Sequence, residues 1–216
     1  MTVDEIVRRV RERSARLASG LPVADPPVDS DFSLNGVVPL PDKWRPAAVL
    51  VPLVDRPQGV TVLLTQRTAD MPSHAGQVAF PGGRRQDSDA DAVATALRET
   101  EEEVGVDRRF VSVVGAVDLY RTGTGFEITP VVGIVREGFT TQADPREVAD
   151  VFEVPLAHFL DQKNHRIDSR TLGEGDQQRQ RRYYAMPYGE RYIWGATAGM
   201  LKNLQFILTG DKKNGG

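Results

Sequence analysis

The sequence predicts an α/β or α+β fold, with strands and helices interleaved around a mixed sheet. Two apolar, β-branched runs, Ala47 to Val54 and Val60 to Gln66, flank a Pro57-Gln58-Gly59 turn and read as paired strands. A helical run ending at Val104 follows, and then two more strand patterns at Phe110 to Val117 and Glu127 to Val135. A last apolar segment, opened by Tyr192-Ile193-Trp194-Gly195, reads as a helix running to about Leu208. With 216 residues and a mass of 23.8 kDa, the chain suits one domain of ordinary size with an added segment.

Taken in order, residues 2 to 19 form one predicted helix. Val3, Ile6, Val7, Val10, Ser14 and Leu17 fall on one stripe, and Arg8, Arg9, Arg11, Arg13 and Arg16 surround it. Such a helix packs onto its own domain or onto a second subunit, so a homodimer is compatible with it. Gly20 ends the helix. Pro22, Pro26, Pro27, Pro39, Pro41 and Pro46 then make an extended linker. The expected division is residues 1–45 for helix and linker, 46–210 for the main domain, and 211–216 for a disordered tail.

The stretch from Phe80 to Val106 carries the chemistry. Strand-like Gln77-Val78-Ala79-Phe80 enters Pro81-Gly82-Gly83, where a glycine pair lets the chain come close to a ligand or metal. Asp87, Ser88 and Asp89 are helix-capping types, and Gly105 is a terminator, which predicts a helix from about Ala90 to Val104. Val93, Ala96, Leu97, Thr100 and Val104 then face the core. Glu99, Glu102 and Glu103 crowd a second face, while Glu101 projects elsewhere into solvent. Like charges at this spacing destabilise a helix unless something cationic neutralises them, and an acidic last turn also opposes the helix dipole. A hard divalent ion with oxygen ligands would neutralise the cluster.

Beyond the helix, Arg121-Thr122-Gly123-Thr124-Gly125 is either a hairpin connection or a substrate wall. Glu147 to Leu156 starts a strand and leads into a helical piece through Leu160; Glu147 or Glu153 could add a carboxylate, with solvation at a strand edge the default. Arg166 to Tyr184 is charged and poor in apolar residues, a solvated hairpin by default. Its Arg179, Arg181 and Arg182 would also make a phosphate clamp.

Composition excludes several classes. The net charge is −3 with pI about 5.7, so nothing draws the chain to nucleic acid or anionic lipid. The absence of cysteine rules out disulfides, thiolate zinc sites and a Cys nucleophile. No apolar run approaches membrane-spanning length, and the N-terminus lacks a signal-peptide core. A cytoplasmic protein is expected.

The helix and its approach resemble the Nudix box, Gly-x5-Glu-x7-Arg-Glu-U-x-Glu-Glu-x-Gly-U, where U is apolar. Arg98-Glu99-Thr100, Glu102-Glu103 and Gly105-Val106 match its second half, with Thr100 in place of U. Counting back puts Arg84 at the Gly position and Ala90 at the first Glu, so the loop carries an extra residue and Asp89 stands in for that Glu. The resemblance implies an α/β/α sandwich and Mg²⁺- or Mn²⁺-dependent hydrolysis of a diphosphate in a small nucleotide substrate. It makes Glu99 and Glu103 the main metal ligands, joined by Glu102 and the Gly82 carbonyl. The implied catalytic set is Glu102 as proton acceptor, Glu99, and Arg98 as a brace for the loop. A longer string from His74 to Gly83, with Thr129-Pro130-Val131-Val132-Gly133 and Trp194-Gly195, resembles the coenzyme A pyrophosphatase branch. Arg67, His74 and Gly83 are then expected against substrate. Pro72 stands where the branch carries an Arg, and Thr68 where it carries a Ser. Other substrates, or a nucleotide-sensing module without turnover, are the alternatives; the retained glutamates favour an enzyme.

Overall fold

The computed structural model describes residues 1–21, 28–35, 41–70, 74–172 and 178–210. The expected tail at 211–216, Pro72, and Pro22, Pro26, Pro27 and Pro39 of the linker lie outside these. In chain order the elements are α1 (Val3–Ala18), β1 (Arg45–Val54), β2 (Thr61–Arg67), β3 (Val78–Ala79), β4 (Gly82–Arg84) and α2 (Ala92–Val104). There follow β5 (Val111–Ala116), β6 (Tyr120–Arg121), β7 (Phe126–Val135), β8 (Val148–Pro155) and α3 (Leu156–Leu160). The chain finishes with β9 (Arg166–Leu172), β10 (Arg179–Ala185) and α4 (Ala196–Thr209).

The principal sheet is mixed. β1 runs parallel to β7 from Arg45↔Phe126 to Val54↔Val135, and its other neighbours are antiparallel. β1 is buried on both faces, and alternation sorts its side chains. Ala48 and Leu50 meet Ala96 of α2, whereas Val49, Val51 and Leu53 join the larger core with α1, α3 and α4. One helix therefore covers one face and three cover the other, an α/β/α sandwich. No helix among the described residues is long and apolar enough to cross a membrane.

The β1–β2 hairpin positions the glycine pair. The strands pair only near the turn, at Leu53↔Val62 and Val54↔Thr61. Further along, β4 takes the place beside β1 while β3 stays on β2. Gly82 lies against the backbone of β1, where a Cβ would fall 2.4 Å from the Ala48 oxygen and 2.5 Å from Val49 Cα. Any larger residue would push β4 off the sheet.

Three sequence expectations change. α2 begins at Ala92, because Asp91 is the N-cap and accepts from the Ala94 N–H at 2.8 Å; Asp89 is engaged elsewhere. α4 begins at Ala196, so Ile193 precedes the helix although it is fully buried. Arg13 of α1 is buried, not solvated: it donates from Nε to Asp118 Oδ2 at 2.9 Å and from Nη2 to Oδ1. This pair fastens α1 to the segment after β5.

Part of the linker is also built into the fold. Val28 and Asn203 of α4 exchange N–H···O and N–H···O=C bonds, and Asn35 does the same with the Arg182 backbone. Between them Ser30 bridges Arg121. Residues 28–35 therefore form a strap joining α4, β6 and β10.

Candidate active site

α2 presents its glutamates to the glycine pair. Glu103 is buried, 6% exposed, and Oε2 accepts from the Gly82 N–H at 3.0 Å. Burial pushes its carboxyl up to about 7, against the pull of the Gly82 N–H and with a further push from Glu99. Glu99 is likewise raised by burial, which outweighs its bond from Arg98. A Cβ on Gly83 would fall 2.6 Å from Glu99 Cδ. Only glycine at this position leaves room for the Glu99 carboxylate. Glu102 differs from both, with a side chain 56% exposed against 16% for Glu99 and 7% for Glu103.

Arg98 organises the loop. It donates from Nε and Nη2 to both Asp89 oxygens at 2.9 Å, from Nη1 to Glu99 at 2.8 Å and Glu102 at 2.9 Å, and from Nη2 to the Arg84 carbonyl at 3.3 Å. Asp89 also accepts from the Gln86 N–H at 2.9 Å and Thr95 Oγ1 at 3.0 Å. The Arg98 hydrogen bonds, and then that from Gln86, hold its carboxyl far below the usual range. Asp89 thus braces the loop from the position expected for the missing Glu.

Glu101 is not merely solvated. It accepts from the Arg108 N–H at 2.9 Å and from Arg108 Nε at 2.8 Å, closing the turn after α2. Glu153 is tied to Arg56 and Thr61 on the far side of β2. Glu147 adds only a minor upward electrostatic push to Glu99 and Glu103, behind burial. The sequence offers it as an added carboxylate with solvation as the default; the fold links it to α2 through Asp144, whose N–H donates to the Glu103 carbonyl and whose carbonyl accepts from the Glu147 N–H.

A cavity of about 380 Å³ adjoins these carboxylates. Gly82, Gly83, Arg67 and His74 are among its lining residues. Arg67 Nη1 lies 3.9 Å from Glu103 Oε1, and its Nε is buried with no hydrogen-bond partner among the described residues. His74 adopts φ 59° and its Nδ1 is 2.8 Å from Gln77 Oε1. Tyr120, Thr122, Thr124, Tyr183, Trp194 and the hairpin arginines Arg170, Arg181 and Arg182 also line the cavity. The Arg121–Gly125 loop is therefore a cavity wall as well as a connection. Asp31 of the strap ties part of this wall together, accepting from Tyr120 Oη at 3.0 Å, Gly123 N at 2.7 Å and Arg181 Nη2 at 2.8 Å.

The donor set fits a hard divalent ion in its chemistry, since every candidate ligand offers oxygen and a cation would favour the ionised form that burial of Glu103 disfavours. Among the described residues no group of three or more His, Cys, Asp or Glu is gathered around a metal position. Glu99 and Glu102 are turned onto Arg98.

The NUDIX domain family model matches residues 44–173. The chain belongs to the Nudix hydrolase family. It is 44% identical over 161 residues to the uncharacterized Nudix hydrolase NudL of Escherichia coli strain K12, spanning 74% of this chain and 81% of that one. With NudL of Photorhabdus laumondii it shares 42% over 166 residues, 76% of this chain and 86% of that one. A MutT/nudix family protein from Enterococcus faecalis, of known structure, aligns over 94% of this chain and 73% of its own at 18% identity, with a TM-score of 0.48. The matched range takes in α2, the Gly82-Gly83 pair and the loop held by Asp89 and Arg98.

Proposed function

We propose that this Nudix hydrolase uses Mg²⁺ or Mn²⁺ to split a diphosphate, with coenzyme A or a derivative as preferred substrate. The products would be adenosine 3',5'-bisphosphate and 4'-phosphopantetheine. The observation that carries this reading is the pairing of buried Glu103 with Glu99 at the edge of a cavity lined by arginines and aromatic rings. Glu99 and Glu103 would hold the ion, joined by Glu102 and the Gly82 carbonyl. When bound, the ion supplies charge neutralisation at the diphosphate oxygens and activation of the attacking water.

The chain's own groups account for the rest. Glu102, the most exposed of the three carboxylates, accepts the proton of the attacking water. Arg98 acts on the loop and on carboxylate orientation, not on substrate. Arg67 places a cation between Glu103 and the cavity, where a substrate phosphate would meet it. Gly83 leaves backbone room at the same spot, and His74 closes the rim. A cytoplasmic location and small-nucleotide partners go with this activity, and α1 is occupied by its own domain through Arg13 and Asp118.

The test is product analysis with purified protein, Mg²⁺ or Mn²⁺, and coenzyme A, ADP-ribose, NADH and 8-oxo-dGTP, with Glu103→Gln as control. Preferential, metal-dependent cleavage of coenzyme A that the variant loses supports the reading. Preference for another member keeps the hydrolase and points to Pro72 as the changed determinant. Absence of metal-dependent cleavage of any member overturns it in favour of a nucleotide-sensing module.

A further inference from the structure

The cavity lining carries a charge that the hydrolytic machinery does not use. In the antiparallel β9–β10 ladder Arg170 stands directly opposite Arg181. Directly opposed residues share a face, and like charges in that relation destabilise the ladder. Asp31 answers Arg181 alone, at 2.8 Å, and is itself also engaged by Tyr120 and Gly123. Arg170 has no carboxylate partner among the described residues. Its guanidinium lies over Trp194, 5.0 Å from the ring centroid, and Trp194 leans on Tyr183 with centroids 4.8 Å apart. All four side chains line the cavity. The result is an aromatic ring with a cation over it that has no carboxylate partner among the described residues, in the same cavity as Gly83 and Arg67.

We propose that Trp194 and Arg170 form a subsite for the nucleoside half of the substrate. Trp194 stacks on the base, and Arg170 takes a phosphate monoester carried on the ribose in addition to the scissile diphosphate. A monoester near neutrality carries between one and two negative charges, and its oxygens match the guanidinium fork. Base stacking on an aromatic ring is tolerant of base identity, so the phosphate supplies the discrimination. The favoured substrate class is then the nucleoside diphosphate derivative bearing an extra ribose phosphate. This takes the scissile group from the hydrolase reading above, but the subsite can be measured without turnover.

The experiment is calorimetric binding of adenosine 3',5'-bisphosphate and of adenosine 5'-monophosphate to the full chain and to Arg170→Gln. It is paired with kcat/KM for coenzyme A and dephospho-coenzyme A. Arg170 is exposed on the hairpin, so the substitution leaves the core intact, which circular dichroism checks. The full chain should prefer the bisphosphate by about tenfold or more, and Arg170→Gln should bring the two nucleotides within about twofold of each other. Trp194→Leu should weaken both nucleotides while keeping their ratio. Equal affinity in the unaltered protein, or a preference that survives Arg170→Gln, overturns the subsite. If neither coenzyme is hydrolysed but the binding preference depends on Arg170, the subsite stands and the hydrolase reading alone fails.

Discussion

Replacing each glycine of the Gly82-Gly83 pair by alanine separates stability from activity at adjacent positions. At Gly83 the new methyl would sit 2.6 Å from Glu99 Cδ and 2.6 and 2.7 Å from its oxygens. Ordinary contact requires roughly 3.5 Å, so the carboxylate must retreat by about 1 Å. The clashing atoms are the end of a flexible side chain, and the fold absorbs the move within about 1 kcal/mol, helped by the lower chain entropy of alanine. A displacement of about 1 Å in a reacting constellation costs on the order of 100-fold in rate, or ~2.7 kcal/mol. At Gly82 the methyl meets main chain instead, the Ala48 oxygen and Val49 Cα. Overpacking of that kind costs about 3 kcal/mol or more in stability, because β4 must leave β1. Urea denaturation and kcat on the best substrate of the panel read the two effects. Gly83→Ala should melt like the parent and turn over about 100-fold more slowly. Adding Glu99→Asp, whose shorter carboxylate withdraws from the methyl, should restore part of the rate. Parental activity in Gly83→Ala, or equal destabilisation of the two variants, would refute the steric account of the pair.

Three further outcomes follow from the same structure. The Glu103 carboxyl is raised to about 7 by burial, so the metal-free fold holds more protons than the unfolded chain between the ordinary glutamate range and pH 7. Stability then falls as pH rises through that window, and Glu103→Gln should raise Tm at pH 8 but not at pH 4 when melts are followed in chelator. The Asp89 carboxyl is held low, chiefly by Arg98. Its contribution is complete above the unfolded aspartate range and is lost as pH drops below it, so the gap in Tm between parent and Asp89→Asn should shrink from pH 6 to pH 3. Arg13→Ala strands Asp118 in a buried position and should cost about 3–5 kcal/mol in urea melts, most of it recovered in Arg13→Met with Asp118→Leu.

Legibility in the sequence followed the range of the interactions. The apolar run from Ala47 to Val54 and the stripe through Ala96, Thr100 and Val104 are local patterns, and the layers they announce are present. The clustering of Glu99 and Glu103 was readable from helical spacing alone. Their unequal burial was not, because the Gly82 N–H that meets Glu103 comes from a strand whose pairing with β1 is not local. β4 and β6 escaped notice for the same reason: each is very short and exists only through its partner strand. Asp89 and Asp91 are equivalent as capping types, and only the position of Arg98 sends the first to the loop and leaves the second at the helix. The Arg13–Asp118 and Asp31–Arg181 pairs join residues separated by 105 and 150 positions. No window of sequence contains both members.

The strap at 28–35 also sets an order of events at the ribosome. Val28 waits for Asn203, 175 residues later, and Asn35 waits for Arg182, 147 residues later. Until both have emerged, the wall that Asp31 builds against Tyr120 and Arg181 has nothing to fasten it. A nascent chain that has already made its box helix therefore has carboxylates without an enclosed chamber. Completion of the last helix finishes the vessel in which those carboxylates can act.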